Sequence, residues 1–135
     1  MSARTKARKR ALDVLFASDV RGESASAALE TSIADGEGPG NDYTAVLVRG
    51  VEEHRGHIDE VLTRYAEGWT LERMPAVDRN VLRLGVWELL YAADVPDGVA
   101  ISEAMALVTD LSTDESPHFV NGVLGAVQRN KESLV

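Results

Sequence analysis

VDRNVLRLGVWELLYAA, residues 77–93, reads as a helix that is apolar on almost every side. Between Leu84 and Ala93 its only charge is Glu88. A helix of that kind belongs at the centre of a helical bundle, because no face of it gains from meeting water. Glu88 then needs donors, either the N-terminal amides of a neighbouring helix or an arginine. Its expected role is structural, with an interface role as the alternative.

The flanks of this stretch are punctuated. Gly68-Trp69-Thr70 interrupts the chain before it, and Thr70 to Met74 reads as a single turn ahead of Pro75. Asp94-Val95-Pro96-Asp97-Gly98 stops it on the other side. Ala100, Ala104, Leu107, Val108 and Leu111 then repeat at helical spacing. Ser116-Pro117 predicts a helix start with a hydroxyl cap and proline in the first turn. Phe119, Val120, Val123, Leu124 and Val127 are its stripe. Gly122 and Gly125 lie inside that helix at about 1 kcal/mol each against alanine, which predicts a close helix crossing there.

Towards the N-terminus, residues 5–20 predict a helix with Leu12, Leu15, Phe16 and Val20 on one stripe, ended by Gly22. Residues 24–34 predict a shorter helix capped by Ser24. Residues 35–40 are a Gly-rich stretch expected to form a mobile loop. Tyr43, Val46, Leu47 and Val51 begin another stripe, and Ile58, Val61, Leu62 and Tyr65 a further one, with a break or kink at Gly56. No alternating strand pattern appears. The expected class is all-α, a single compact bundle of about six or seven helices within one domain spanning residues 1–135.

Composition narrows the function. The chain has 135 residues, 44% apolar and 27% charged, a globular balance. It has no cysteine, which excludes disulfides, thiol nucleophiles and cysteine zinc sites. No apolar run reaches the roughly 20 residues of a membrane helix, and the charged start is unlike a secretory signal. The expectation is a soluble, cytoplasmic protein. Net charge is −8, but Arg4, Lys6, Arg8, Lys9 and Arg10 fall within the first 12 residues without an acid. The remainder carries 9 basic and 22 acidic residues. A basic arm over residues 1–10 on an acidic body points to a nucleic-acid contact confined to that arm; a solvated tail is the plain alternative. Cations at a helix N-terminus oppose the helix dipole, so the first turns are expected to fray until an anion orders them.

Catalytic patterns are missing. His54 and His57, near Glu53 and Glu60, have a spacing able to hold a metal, but no third ligand is evident. His118 lies near Asp114, Glu115 and Ser116, yet chain neighbours seldom make a triad. The glycines at 36–40 lack the lysine and the preceding strand of a phosphate loop. No enzyme activity, metal or cofactor is expected.

Several blocks carry a resemblance. Pro75-Ala76-Val77-Asp78-Arg79, Trp87-Glu88-Leu89-Leu90, Val99-Ala100-Ile101-Ser102-Glu103-Ala104 and Glu115-Ser116-Pro117-His118-Phe119-Val120-Asn121-Gly122-Val123-Leu124-Gly125 stand in order. Together with the basic start running into Ala11, Leu15 and Phe16, they resemble the NusB family of bacterial transcription antitermination factors, in an actinobacterial style. The resemblance covers nearly the whole chain apart from the Gly-rich loop. It implies an all-helical fold of two small subdomains and a non-catalytic adaptor. Such an adaptor binds single-stranded boxA RNA of ribosomal RNA leaders together with the ribosomal small-subunit protein in its NusE role. It helps load an antitermination complex on RNA polymerase.

By the same resemblance, RNA binding falls to Arg4, Lys6, Arg8, Lys9 and Arg10 and to Phe119, with Glu115 as a modulator. Partner binding falls to Phe16, Glu72 and Asp78. The chemistry is coherent, because unpaired RNA takes cations along its backbone and flat rings against its bases. Glu115 near that site is expected to repel phosphate. Each residue keeps an ordinary alternative: Phe119 and Phe16 as core, Asp78 as a first-turn acid, Glu72 as solvated. Pro117 departs from the family's motif and puts the local loop geometry in doubt. Some members self-associate, which leaves a homodimer open. Three rivals remain: a protein-interaction module of the same fold, the N-terminal domain of a ribosomal RNA methyltransferase, and a DNA-binding helical regulator. The chain's end at Val135 weighs against the second, and few cations on the last helices weigh against the third. Deleting residues 1–10 is expected to flatten the salt dependence of RNA binding with little loss of stability.

Overall fold

The computed structural model describes residues 2–34 and 42–135, and these form eight helices and no strand. They divide into two compact units, Met1–Glu53 and His54–Val135. The loop expected over residues 35–40 lies outside the described residues.

The first unit packs α1 (Ala3–Arg21), α2 (Ala25–Ser32) and α3 (Asp42–Glu53) against one another. Its interior is Leu12, Leu15, Leu29, Leu47, Val48 and Val51, all nearly inaccessible. The ends of α1 are closed by local chemistry. Ser2 Oγ accepts from the Thr5 amide at 3.0 Å, and Gly22 terminates the helix at φ +70°. At α2, Ser24 caps the Ala27 amide. Glu52 of α3 adds a tertiary cap, accepting from the Ser26 amide at 2.7 Å and its hydroxyl at 2.8 Å.

The basic start differs from the expected frayed arm. Residues 3–10 are the first turns of α1. Three contacts explain this. Ser2 supplies the cap, Ala7 is buried, and the Thr44 hydroxyl of α3 donates to the Ala7 carbonyl at 3.2 Å. A deletion of residues 1–10 therefore removes packed helix, and the expectation of little stability loss is corrected.

The second unit is built on α5 (Ala76–Tyr91), where every residue from Asn80 to Leu90 is buried. α4 (Arg55–Tyr65), α6 (Asp97–Leu111) and α7 (Ser116–Arg129) pack on it, and α8 (Lys131–Leu134) follows. The predicted turn before Pro75 is a 3₁₀ turn, Leu71–Arg73. The break between α3 and α4 falls at His54, two residues ahead of Gly56. Glu88 is 2% exposed, as a residue on an all-round apolar helix must be. Arg83, also buried, grips Asp59 of α4 with two parallel bonds of 2.9 and 3.1 Å. The fork of a guanidinium matches a carboxylate in this way, so α4 is fixed in rotation about α5.

The close helix crossing sits elsewhere than predicted. A Cβ at Gly122 would meet nothing within 4 Å, and one at Gly125 only the tip of Arg129 at 3.3 Å. At Gly85 of α5 a Cβ would lie 2.9 Å from both δ carbons of Leu124 on α7. The glycine that the crossing requires is on the central helix.

Candidate nucleic-acid interface

In the first unit the cations of α1 have unequal surroundings. The Arg4 guanidinium lies 4.1 Å from the Tyr43 ring centroid, and that of Arg8 lies 5.7 Å from it. Both are within cation–π range. Arg8 is only 4% exposed, so its charge is held inside the unit, unlike the exposed charge expected of a phosphate-binding residue. Lys6 and Lys9 are exposed, and the Lys9 ammonium meets the Asp13 carboxylate at 2.8 Å. Arg10 is partly covered, and its Nη1 is enclosed without a hydrogen-bond partner. It borders a groove of about 370 Å³ between α1 and α2, with Asp13, Arg21 and Thr31. An enclosed guanidinium N–H without an acceptor has a free-energy incentive to take one up. Further along α1, Phe16 and Val20 are exposed at 38% and 63%. Phe16 is thus a surface residue, not core.

In the second unit a cleft of about 130 Å³ opens beside the start of α7. It is lined by Trp69, Met74, Pro75, Thr113, Glu115 and Phe119 together with the buried Asp78 and Ser116. The Trp69 and Phe119 rings stand 6.3 Å apart at 60°. Phe119 is half-buried and Trp69 is 51% exposed. Arg79 steadies the Trp69 side by donating to the carbonyls of Leu71 at 2.7 Å and Met74 at 3.3 Å.

Asp78 departs most from expectation. It is 3% exposed, and its two oxygens accept from Ser116 at 2.7 Å and Ser112 at 2.5 Å. Thr113 Oγ1 lies 2.8 Å from Ser116 Oγ and completes the network. Buried and held by two hydroxyl donors, Asp78 anchors the connection that launches α7 and so aims Phe119. Ser116 is itself the first residue of α7 rather than its cap. Pro117 fits in that first turn, where its missing N–H costs nothing. Glu115 is exposed on the rim, and Glu72 is exposed on the 3₁₀ turn.

The cleft brings together Phe119, Glu115 and Asp78 from the predicted set, and leaves Glu72 off its lining. Two residues escaped the sequence. Tyr43 is the ring under Arg4 and Arg8, and Trp69 is the second ring of the cleft. An indole flanked by glycine and threonine in a turn was the available signal for Trp69, since a large apolar side chain in a loop is seldom there for packing alone.

The histidine pair is occupied by Tyr91. The His54 ring stacks on it at 3.9 Å, and His57 Nδ1 shares a 2.5 Å hydrogen bond with its hydroxyl. Burial raises the Tyr91 pKa above its ordinary 10.0. Among the described residues no three His, Cys, Asp or Glu side chains cluster to hold a metal, and no helix is long and apolar enough to cross a membrane. Ser116 bonds to Asp78, which gives its hydroxyl a structural use.

The sequence matches the NusB family over residues 5–129. It is 78% identical to a transcription antitermination protein NusB of a Nocardioides species, over 99% of each chain. Among solved structures, the T. maritima NusB superposes with a TM-score of 0.84 at 34% identity, covering 96% of this chain and 92% of that one. A chain in a crystal structure of antitermination factors NusB and NusE in complex with double-stranded RNA gives 0.84 at 29%, covering 96% and 98%.

Proposed function

The chain belongs to the NusB family, and from that premise we propose that it is a transcription antitermination factor acting as a non-catalytic, RNA-binding adaptor. It binds boxA-type single-stranded RNA of ribosomal RNA leaders jointly with the small-subunit protein NusE, in the cytoplasm, and helps load an antitermination complex on RNA polymerase. The observation that carries this reading is near-full-length identity of 78% to a protein of that name. The likeness to a chain solved with NusE and RNA supports both partners. Its 29% identity extends over almost all of each chain.

In this reading Lys6, Lys9 and Arg10 meet the RNA backbone, Arg4 contributes from its seat on Tyr43, and Arg8 acts by fixing α1. Phe119 takes a base. Glu115 weakens the approach of phosphate, so neutralising it tightens binding. Phe16, with Val20 beside it, and Glu72 suit the partner protein, because ribosomal partners are basic and an exposed ring supplies an apolar anchor. Asp78 supports the partner surface from beneath. The test is a fluorescence-anisotropy titration of boxA RNA and a scrambled RNA, each with and without NusE. Preference for boxA that NusE strengthens is the expected result. Equal binding of both RNAs at low salt, with NusE present, overturns the reading.

A further inference from the structure

We propose that Trp69 and Phe119 form a receptacle for one unstacked RNA base, with the indole of Trp69 as the stacking surface. The inference rests on the RNA-binding reading above and adds to it a residue and a ligand class.

Trp69 is held at 51% exposure, whereas Trp87, the other tryptophan, is 8% exposed in the core. An indole left in water forgoes a large apolar burial, which is recovered only when something flat covers it. Phe119 does not cover it. At 6.3 Å and a 60° tilt the two rings are not stacked, and half of the indole surface stays exposed. The volume of about 130 Å³ is well below the roughly 300 Å³ where cofactor pockets begin, and it suits a single planar ring system.

Charge selects which part of a nucleotide enters. The cleft is lined by the exposed Glu115 and the buried Asp78, and among the described residues no cation lines it. A phosphate is repelled there, while a neutral base is not. Apolar Met74 and Pro75 beside the indole suit the faces of a base, and the Thr113 hydroxyl offers a polar edge. The walls are also held in place before any ligand arrives. Arg79 fixes the turn that follows Trp69, and Asp78, through Ser112 and Ser116, fixes the turn that carries Phe119. Stacking on such a preformed surface needs no particular base, since every base has a face.

The test uses the full chain with NusE and fluorescein-labelled boxA RNA, and reads both anisotropy and tryptophan emission. RNA should quench the emission of the wild type but not of Trp69→Phe, which keeps a ring at the site. Trp69→Ala should bind RNA roughly tenfold or more weakly. In a scan of abasic substitutions along the RNA, one position should weaken wild-type binding and have no further effect on Trp69→Ala. A merely structural role for Trp69 moves neither the quench nor this coupling. Both variants should melt with the wild type; if Trp69→Ala does not, Trp69→Phe and the abasic scan decide. Wild-type-like affinity of Trp69→Ala with no coupled abasic position overturns the inference and leaves the adaptor reading intact. Full quenching by NusE without RNA also overturns it, making the cleft a protein contact. Failure of the wild type to prefer boxA removes the adaptor reading, and this inference with it.

Discussion

Asp78 places an acidic side chain at 3% exposure, where two serine hydroxyls donate to its oxygens. Removing such a group leaves Ser112 and Ser116 short of their acceptor in a closed space. Asp78→Ala is therefore expected to cost about 2–3 kcal/mol, read as a lowered Tm, and to weaken RNA and NusE binding together. A selective loss of NusE binding at unchanged Tm would return Asp78 to a direct partner contact. This residue also marks where sequence reading stopped. The position of Phe119 and Glu115 at the start of α7 was legible because their motif is local. The burial of Asp78 was not, because its partners lie 34 and 38 positions away and nothing between announces the pairing.

At the scale of elements, α5 was legible because burial on all sides leaves a one-dimensional trace, a long run nearly free of charge. The start of α1 was not. Composition alone favours fraying at a basic N-terminus, and what overrides it is tertiary: Tyr43 beneath two guanidiniums and Thr44 on the Ala7 carbonyl. The glycines show the same division. Sequence flags every helical glycine alike, and only packing separates Gly85, pressed by Leu124, from Gly122, which faces open space. Gly85→Ala is expected to destabilise by about 1–3 kcal/mol through overpacking. Gly122→Ala should instead stabilise by roughly 0.5–1 kcal/mol, because alanine is the better helix former and meets no neighbour. Thermal or urea unfolding of the two variants measures both, and equal effects would refute the assignment of the crossing to Gly85.

For the whole molecule, the decisive quantity is how a chain of net charge −8 binds a polyanion at all. Confinement of its early cations to α1 makes the attraction local, and its strength must fall with salt. If three to five phosphates are neutralised, log K should fall against log salt with a slope of about −2 to −3.5. Lys6→Ala and Arg10→Ala should each flatten that slope by about 0.7, and the exposed Lys6 change should leave Tm unaltered. An unchanged slope in both variants would remove α1 from the RNA contact. The cleft is assembled differently, from Trp69 and Asp78, which are near neighbours along the chain, and Phe119, which follows far behind them. During synthesis α1 emerges first and the launch of α7 nearly last, so a growing chain carries charge before it carries a seat for a base. A ribosome-stalled chain ending ahead of Ser116 should then hold RNA in a salt-sensitive way with no coupling to any abasic position. The stacking cleft is the last part of the site to be completed as the chain is made.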